Sequence, residues 1–478
     1  MGRFTRRNML KRVAATAIFA PSVFSGRAAM AQLPALPNLP STDALLLRPG
    51  DAQFAGYQKS FNTRTALTPQ LRALCKTAGA VGVMVDWCRS NNLPFALRSG
   101  GHSYEGFSQS SSVVIDTRLI SAIKVDEASK TATVGAGASL GQVYKTIAKS
   151  GLAFPGGSCP TVGVSGHALG GGYGYLARPH GLACDNVQSI DLVDPQGQQI
   201  HADAQQNADL FWACRGGGGG SFGAVTGYRL RLFELASVFT FKIKFPQLSV
   251  QRAATIMKEW QAWAPQAPQA IDSNLVIEKD PNGGIALRCA GQSIGSKQEL
   301  QRELKFLSSA PPLQQKYLDS ITYFAGGQSG WNYPSYPMKG KSDYASSPLT
   351  DAGFSTLMNE VSTRAGIYVI CDSYGGAIAG IAADATAFAH RSGTLYCLQY
   401  GSDWTNPNDT PQHLSEMRSC YAAMRPYVSG AAYVNYCDLD LADWQNAYWG
   451  KNLTRLKQIK STFDPANVFR HAQSIPLA

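Results

Sequence analysis

Apolar positions along residues 60–235 come in short runs separated by glycine-rich polar loops. FALR (95–98) and VVID (113–116) have the length and apolar content of strands. AIKVDEASKTATVGAG (122–137) reads as a hairpin, two alternating runs around a polar EASK turn, and LGQVYKTIAK (140–149) has the spacing of a helix. SIDLVDPQGQQIHA (189–202) is a second hairpin, turned at Pro-Gln-Gly, and YRLRLF (228–233) closes the region as a strand. From 236 to 428 the periodicity changes. Helical stretches at 251–264, 297–308, 351–364 and 410–424 alternate with the strands NLVIEK (274–279), IYVICDSY (367–374) and TLYCLQY (394–400), and DPNGG (280–284) turns another hairpin. Residues 325–350, rich in Gly, Ser, Pro and aromatics, read as a loop, either irregular surface or a rim over a substrate site. AAYVNY (431–436) reads as a strand, followed by one amphipathic helix from Trp444 to Phe463 that DPAN stops. The fold class is α+β, with a mixed or antiparallel sheet backed by helices in the second half.

Composition narrows the function. Of 478 residues 44% are hydrophobic and 16% charged, a globular balance. The net charge of +11 owes six basic residues to positions 1–31, which hold no acid; no basic block remains in the body, and this argues against nucleic acid as a partner. That same stretch runs from TRRNMLK (5–11) through VAATAIFAPSVF (13–24) to AMA (29–31), the layout of a cleaved signal. The apolar run is shorter than the ~20 residues that cross a bilayer, so no membrane anchor is expected. Its paired arginines resemble a twin-arginine signal. They imply a bacterial protein exported already folded by the twin-arginine machinery, to the periplasm or beyond. Ten cysteines form no CxxC pair, which argues against a zinc framework, and no metal site is expected.

The candidate chemistry lies in three glycine loops: RSGGHSYEG (98–106), GGSCPTVGVSGHALGGGYG (156–174) and RGGGGGSFG (215–223). Glycine lets backbone approach a ligand and leaves N–H groups free to hold it. None matches the P-loop or the Rossmann fingerprint. Taken alone, His102 could be a surface-loop residue and Cys159 a buried thiol.

With LFWACRGGGGGSFGAVT (210–226), YVNYCDLDL (433–441) and YWGKNLTRLKQIKSTFDPANVFRHAQSI (448–475), these loops resemble, in order, the signature segments of the berberine bridge enzyme-like flavoproteins, in the vanillyl-alcohol oxidase superfamily. The resemblance implies a two-part PCMH-type FAD-binding domain over 32–235, a substrate domain over 236–428, and a C-terminal segment, 429–478, returning to the FAD domain. It implies FAD held by two covalent bonds, from His102 to the 8α-methyl and from Cys159 to C6. Ser99, Gly100, Gly101 and Ser103, after Arg98, would face pyrophosphate. Gly163, Ser165, Gly166 and His167 would line the flavin and its ribityl chain, with Gly170 and Gly174 allowing close approach. Val225 would lie near adenine and Asn435 near the pyrimidine edge. Tyr436 occupies the position of the catalytic tyrosine that removes a hydroxyl proton while hydride passes to the flavin. Asp372 is its candidate proton acceptor or, alternatively, a turn-capping carboxylate. Tyr104 and Gln399 match positions that orient substrate. Val162 matches the position that admits oxygen. The expected reaction is oxidation of an alcohol, the anomeric hydroxyl of a mono- or oligosaccharide, with O2 as acceptor and H2O2 as product. The competing expectations are oxidative tailoring of a hydrophobic secondary metabolite, or a dehydrogenase using another acceptor. Trp404, Tyr433 and the aromatics of 325–350 are candidate stacking surfaces for sugar rings.

Overall fold

The computed structural model describes residues 33–308, 315–322 and 335–478. The proposed signal (1–31) and the first part of the aromatic loop (325–334) lie outside them. Pro37–Ala478 forms one compact unit.

Its first part is built on two small sheets. The first has the order Ala44–Leu47, Leu71–Cys75, Val113–Asp116, Phe95–Arg98, with the last three strands parallel. A parallel crossover needs a connecting element, and the helix Ala78–Ser90 supplies it, capped by Thr77 Oγ1 accepting from Ala80 N. The second sheet is antiparallel: Ile123–Asp126, Thr131–Gly135, Ala224–Arg231, Val187–Val193, Gln199–Ala202. The two hairpins read from residues 122–137 and 189–202 are in it.

From Ser237 the chain forms a seven-stranded antiparallel sheet in the order Gln315–Thr322, Ser237–Leu248, Ile285–Ser293, Ile271–Lys279, Ile367–Ser373, Tyr396–Asp403, Met338–Ala345. Its register decides what each face carries. Asn274 pairs with Asp372, Asp372 with Cys397, and Ile370 with Gln399. Because side chains alternate, Leu275, Cys371 and Leu398 face the other way, into a core with Phe354, Leu357 and Met417 of the helices Asp351–Thr363 and Thr410–Met424. The polar row is therefore left on the face that looks away from those helices.

Four sequence expectations change. Residues 338–345 are a strand, not a loop, and every one of them is buried. AAYVNY is not a strand: Val434–Tyr436 form one 3-10 turn. The helix expected from Trp444 to Phe463 is two, Trp444–Trp449 and Leu453–Phe463, because Gly450 takes φ +46° between them. The helix expected over 297–308 likewise divides at Leu304.

Candidate active site

The strand Phe95–Arg98 ends on a buried charge cluster. Asp116 accepts from Arg72 Nη1 at 2.9 Å and Arg118 Nη2 at 2.7 Å, and Arg98 Nε stands 3.7 Å away. The Arg98 guanidinium also donates to Ser60 Oγ and to the Lys59 carbonyl. Arg98 thus lies beneath RSGGHSYEG, its guanidinium bonded to protein groups at the base of the loop. Gly101 has φ +73° and rests on it: a Cβ there would sit 2.4 Å from Arg98 Nη2, which is why the position is glycine.

Above this base the loops enclose a cavity of ≈ 390 Å³. Its lining includes Arg98, Ser99, Gly100, Gly101, His102, Ser103 and Tyr104 from the first loop, and Cys159, Gly163, Ser165, Gly166, His167 and Gly174 from the second. Val225, Asp372, Gln399, Asn435 and Tyr436 complete the set, so of the cofactor-binding and catalytic candidates from the sequence only Gly170 lies off the cavity. Gly170 packs on protein: a Cβ there would meet Asn435 Oδ1 at 2.1 Å. Gly174 lines the cavity, but its missing side chain makes room for the Gly156 carbonyl, 1.9 Å from where a Cβ would stand.

His102 and Cys159 meet at one hydroxyl. Thr161 Oγ1 lies 3.0 Å from His102 Nε2 and 3.6 Å from Cys159 Sγ. The His102 ring stacks on Phe61 with centroids 4.3 Å apart. Burial, reinforced by the Arg98 charge, pulls its pKa down to about 4, so the imidazole is neutral and its lone pair is free to act as a nucleophile near pH 7. Of the ten cysteines, all free thiols, nine are buried and Cys159 alone is partly exposed.

The loop hydroxyls are engaged within the protein: Ser99 Oγ donates to the Ala136 carbonyl at 2.8 Å, and Ser103 Oγ accepts from Phe107 N at 3.0 Å. Among the described residues the backbone N–H groups of Gly100, Gly101 and His102 have no protein acceptor. Gly166 is exposed to the cavity with nothing within 4 Å of a built Cβ, and Gly218, Gly219 and Gly220 form the facing wall. Free N–H donors, a slot that a side chain would fill, and two nucleophiles at one end fit an elongated anionic cofactor with an electrophilic ring. His167 shapes the slot: its Nε2 accepts from Gly157 N at 2.8 Å, and burial pulls its pKa down to about 4. Asn435 Nδ2 donates to the His167 carbonyl and to Tyr433 OH, and this joins the C-terminal turn to the second loop.

At the sheet side, Tyr104 and Tyr436 lie parallel, centroids 5.5 Å apart and planes 2° apart. Gln399 Nε2 donates to Tyr104 OH at 2.6 Å. Burial, then the Asp372 charge, holds the Tyr436 phenol well above its usual pKa. Asp372 is itself pushed well above the carboxylate range by burial and by Asp272. Asp272 accepts from Tyr173 OH at 2.8 Å; burial, which outweighs the attraction of Arg178, raises it to about 7. Sequence reasoning missed Thr161 and Tyr173, which lie inside the second glycine loop without a signal setting them apart from their neighbours, and Asp272, which no motif marks. Trp404 is not a cavity wall but a buried residue stacked on His413, while Tyr433 lines the cavity.

Fold and slot are those of a flavin-dependent oxidoreductase. The FAD binding domain model matches residues 69–203, and the berberine and berberine like model matches 432–476. The FAD-linked oxidoreductase YgaK of Bacillus subtilis is 31% identical, over 89% of this chain and 95% of the relative. Berberine bridge enzyme-like 4 of Arabidopsis thaliana is 32% identical over 92% of each. Physcomitrella patens BBE-like 1 superposes with TM-score 0.85 at 32% identity, over 91% of this chain and 97% of that one. Two forms of Phl p 4, each 30% identical with TM-score 0.83, are also similar: a histidine-bearing variant described as a glucose dehydrogenase, and one with an added isoleucine-to-valine change described as a glucose oxidase. They cover 91% and 92% of this chain and 97% and 98% of their own. The chain belongs to the berberine bridge enzyme-like FAD-linked oxidoreductases. Among the described residues no helix is long and apolar enough to cross a membrane, and no group of three metal-binding side chains occurs.

Proposed function

We propose that the chain oxidises the anomeric hydroxyl of a mono- or oligosaccharide, with FAD bonded to both His102 and Cys159 and O2 as acceptor. The observation that carries this reading is the convergence of His102 and Cys159 on Thr161 in the cavity that also holds Tyr436 and Asp372. Imidazole and thiolate are the side chains suited to add to an electrophilic ring. Bound FAD, held by His102 and Cys159, would supply the hydride acceptor for the carbinol carbon and the route for both electrons to O2.

Tyr436 receives the substrate hydroxyl proton as its own phenol proton moves to Asp372. A free phenolate is thereby avoided, as its elevated pKa requires. Asp372, when ionised, is a strong proton acceptor for the same reason that its pKa is high. Tyr104, held by Gln399, orients the sugar. The glucose-active Phl p 4 forms support the substrate class. Val162, on the cavity wall, supports O2 as acceptor, since the valine-bearing form is the one described as an oxidase. Residues 1–31 direct twin-arginine export, placing the enzyme in the periplasm or outside the cell.

The test is anaerobic mixing of the holoenzyme with a panel of sugars and with hydrophobic alcohols, followed at the flavin absorbance. Sugars reduce the flavin, and Tyr436→Phe slows this by about 10²–10⁴-fold. Reduction by the hydrophobic alcohols alone, or an unchanged rate in Tyr436→Phe, refutes the reading.

A further inference from the structure

Met338–Ala345 is an edge strand of the large sheet, yet it is buried throughout, including two lysines, Lys339 and Lys341, each 2% exposed. Lys339 Nζ donates to Glu105 Oε1 and, at 2.6 Å, to Asp438 Oδ1. Lys341 Nζ donates to Asp438 Oδ2, also at 2.6 Å. Asp440 stands 3.4 and 3.3 Å from the two ammonium groups, and Arg64 Nη2 donates to Glu105 Oε2 at 2.8 Å. Three cations thus face three carboxylates, with Lys339, Lys341, Glu105 and Asp438 buried and Arg64 and Asp440 at the solvent edge.

The carboxylates come from the two segments that carry the active tyrosines. Glu105 directly follows Tyr104, and Asp438 lies two residues after Tyr436. Gly340, between the two lysines, is the seat of the Tyr104 ring: a Cβ there would stand 2.6 Å from Tyr104 Cδ2. One strand therefore supports Tyr104 with its backbone and grips both tyrosine segments with its ammonium groups. A buried ion network is weak evidence for stability, because desolvation offsets most of its attraction and an apolar replacement packs as well. Directional bonds from one ammonium to two loops supply what apolar packing lacks, a fixed distance between them.

We propose that Lys339 is a positioning residue: by clamping Glu105 and Asp438 it sets the separation and parallel alignment of Tyr104 and Tyr436 for proton removal. This rests on the reading of Tyr436 as proton acceptor. The test uses holoenzymes carrying Lys339→Met, Lys339→Arg and Glu105→Gln; the last two keep charge or shape if the first does not fold. For Glu105→Gln, FAD content stays near wild type, the melting temperature falls because Lys339 and Arg64 lose a charged partner, and, well below that temperature, the flavin-reduction rate constant falls about 10-fold or more, as expected for a displacement of under 1 Å. Substrate Kd changes less than about twofold, and Lys339→Arg recovers most of the rate. A crystal structure of the Glu105→Gln holoenzyme has the two rings out of parallel. Unchanged ring geometry, or an unchanged reduction rate, overturns the proposal. If no alcohol reduces the wild-type flavin, the proposed reaction fails, and the ring geometry of Glu105→Gln still decides whether the network positions the pair.

Discussion

His102 and Cys159 are 57 positions apart, yet Thr161 touches both. If both hold FAD, His102→Ala and Cys159→Ala each leave one bond, and the double variant leaves none. Acid-precipitated single variants then keep yellow, fluorescent flavin on the polypeptide, and the double variant releases it to the supernatant. The pH profile reports on Asp372. Its carboxyl is raised by burial and by Asp272, so it stays protonated to higher pH than a free carboxyl and accepts a proton only after ionising. The rate constant for flavin reduction therefore rises with pH across a range above that of an ordinary carboxylate, and Asp372→Asn flattens this limb and lowers the rate; stopped-flow measurement across pH checks it. The histidine, the cysteine and the tyrosine were legible because each sits in a long motif. Asp272 and Lys339 were not, because an ordinary aspartate or lysine acquires its role only from neighbours distant in the chain; Thr161 lies in the motif of Cys159, but its contact with His102 needs the fold.

Elements whose periodicity matched their burial were read correctly. The helices Asp351–Thr363 and Thr410–Met424 and the strand Ile367–Ser373 show one apolar face, which meets the core. The strand Met338–Ala345 was read as a loop because MKGKSDYA carries three charges and a glycine. Its charges are neutralised by Glu105, Asp438 and Arg425, none of them local. Gly340 gives the strand a measurable signature. Gly340→Ala places a methyl against the Tyr104 ring and costs about 1–3 kcal/mol, the usual range for overpacking. Thermal unfolding reads that cost, and flavin reduction slows as Tyr104 is displaced. Residues 431–436 read as a strand because their alternation is real, and the strand Met338–Ala345 does lie beside them, with Tyr344 N donating to the Ala431 carbonyl and Tyr433 N to Ser342 Oγ; the chain then turns into the 3-10 conformation at Val434, so no ladder forms.

Across the whole molecule the C-terminal segment closes the cofactor slot. Lys460 Nζ, fully buried, donates to the carbonyls of Ser221 and Phe469 and to Asp464 Oδ2, each at 2.6 Å. Ser221 follows the five-glycine run, so this ammonium ties the run to the end of the chain. Lys460→Met strands the buried Asp464 carboxylate and costs about 3–5 kcal/mol; a lowered melting temperature together with FAD loss on gel filtration is the expected result. The sequence by itself determined the α+β class, most helices and hairpins, the family and the residues that face the slot, since these follow from local periodicity and from long contiguous motifs. Only the tertiary structure decided which glycines line the cavity and which make room for protein atoms, the burial of the strand Met338–Ala345, and the parallel tyrosine pair. Those depend on desolvation and on contacts between segments hundreds of residues apart, and one-dimensional spacing records neither.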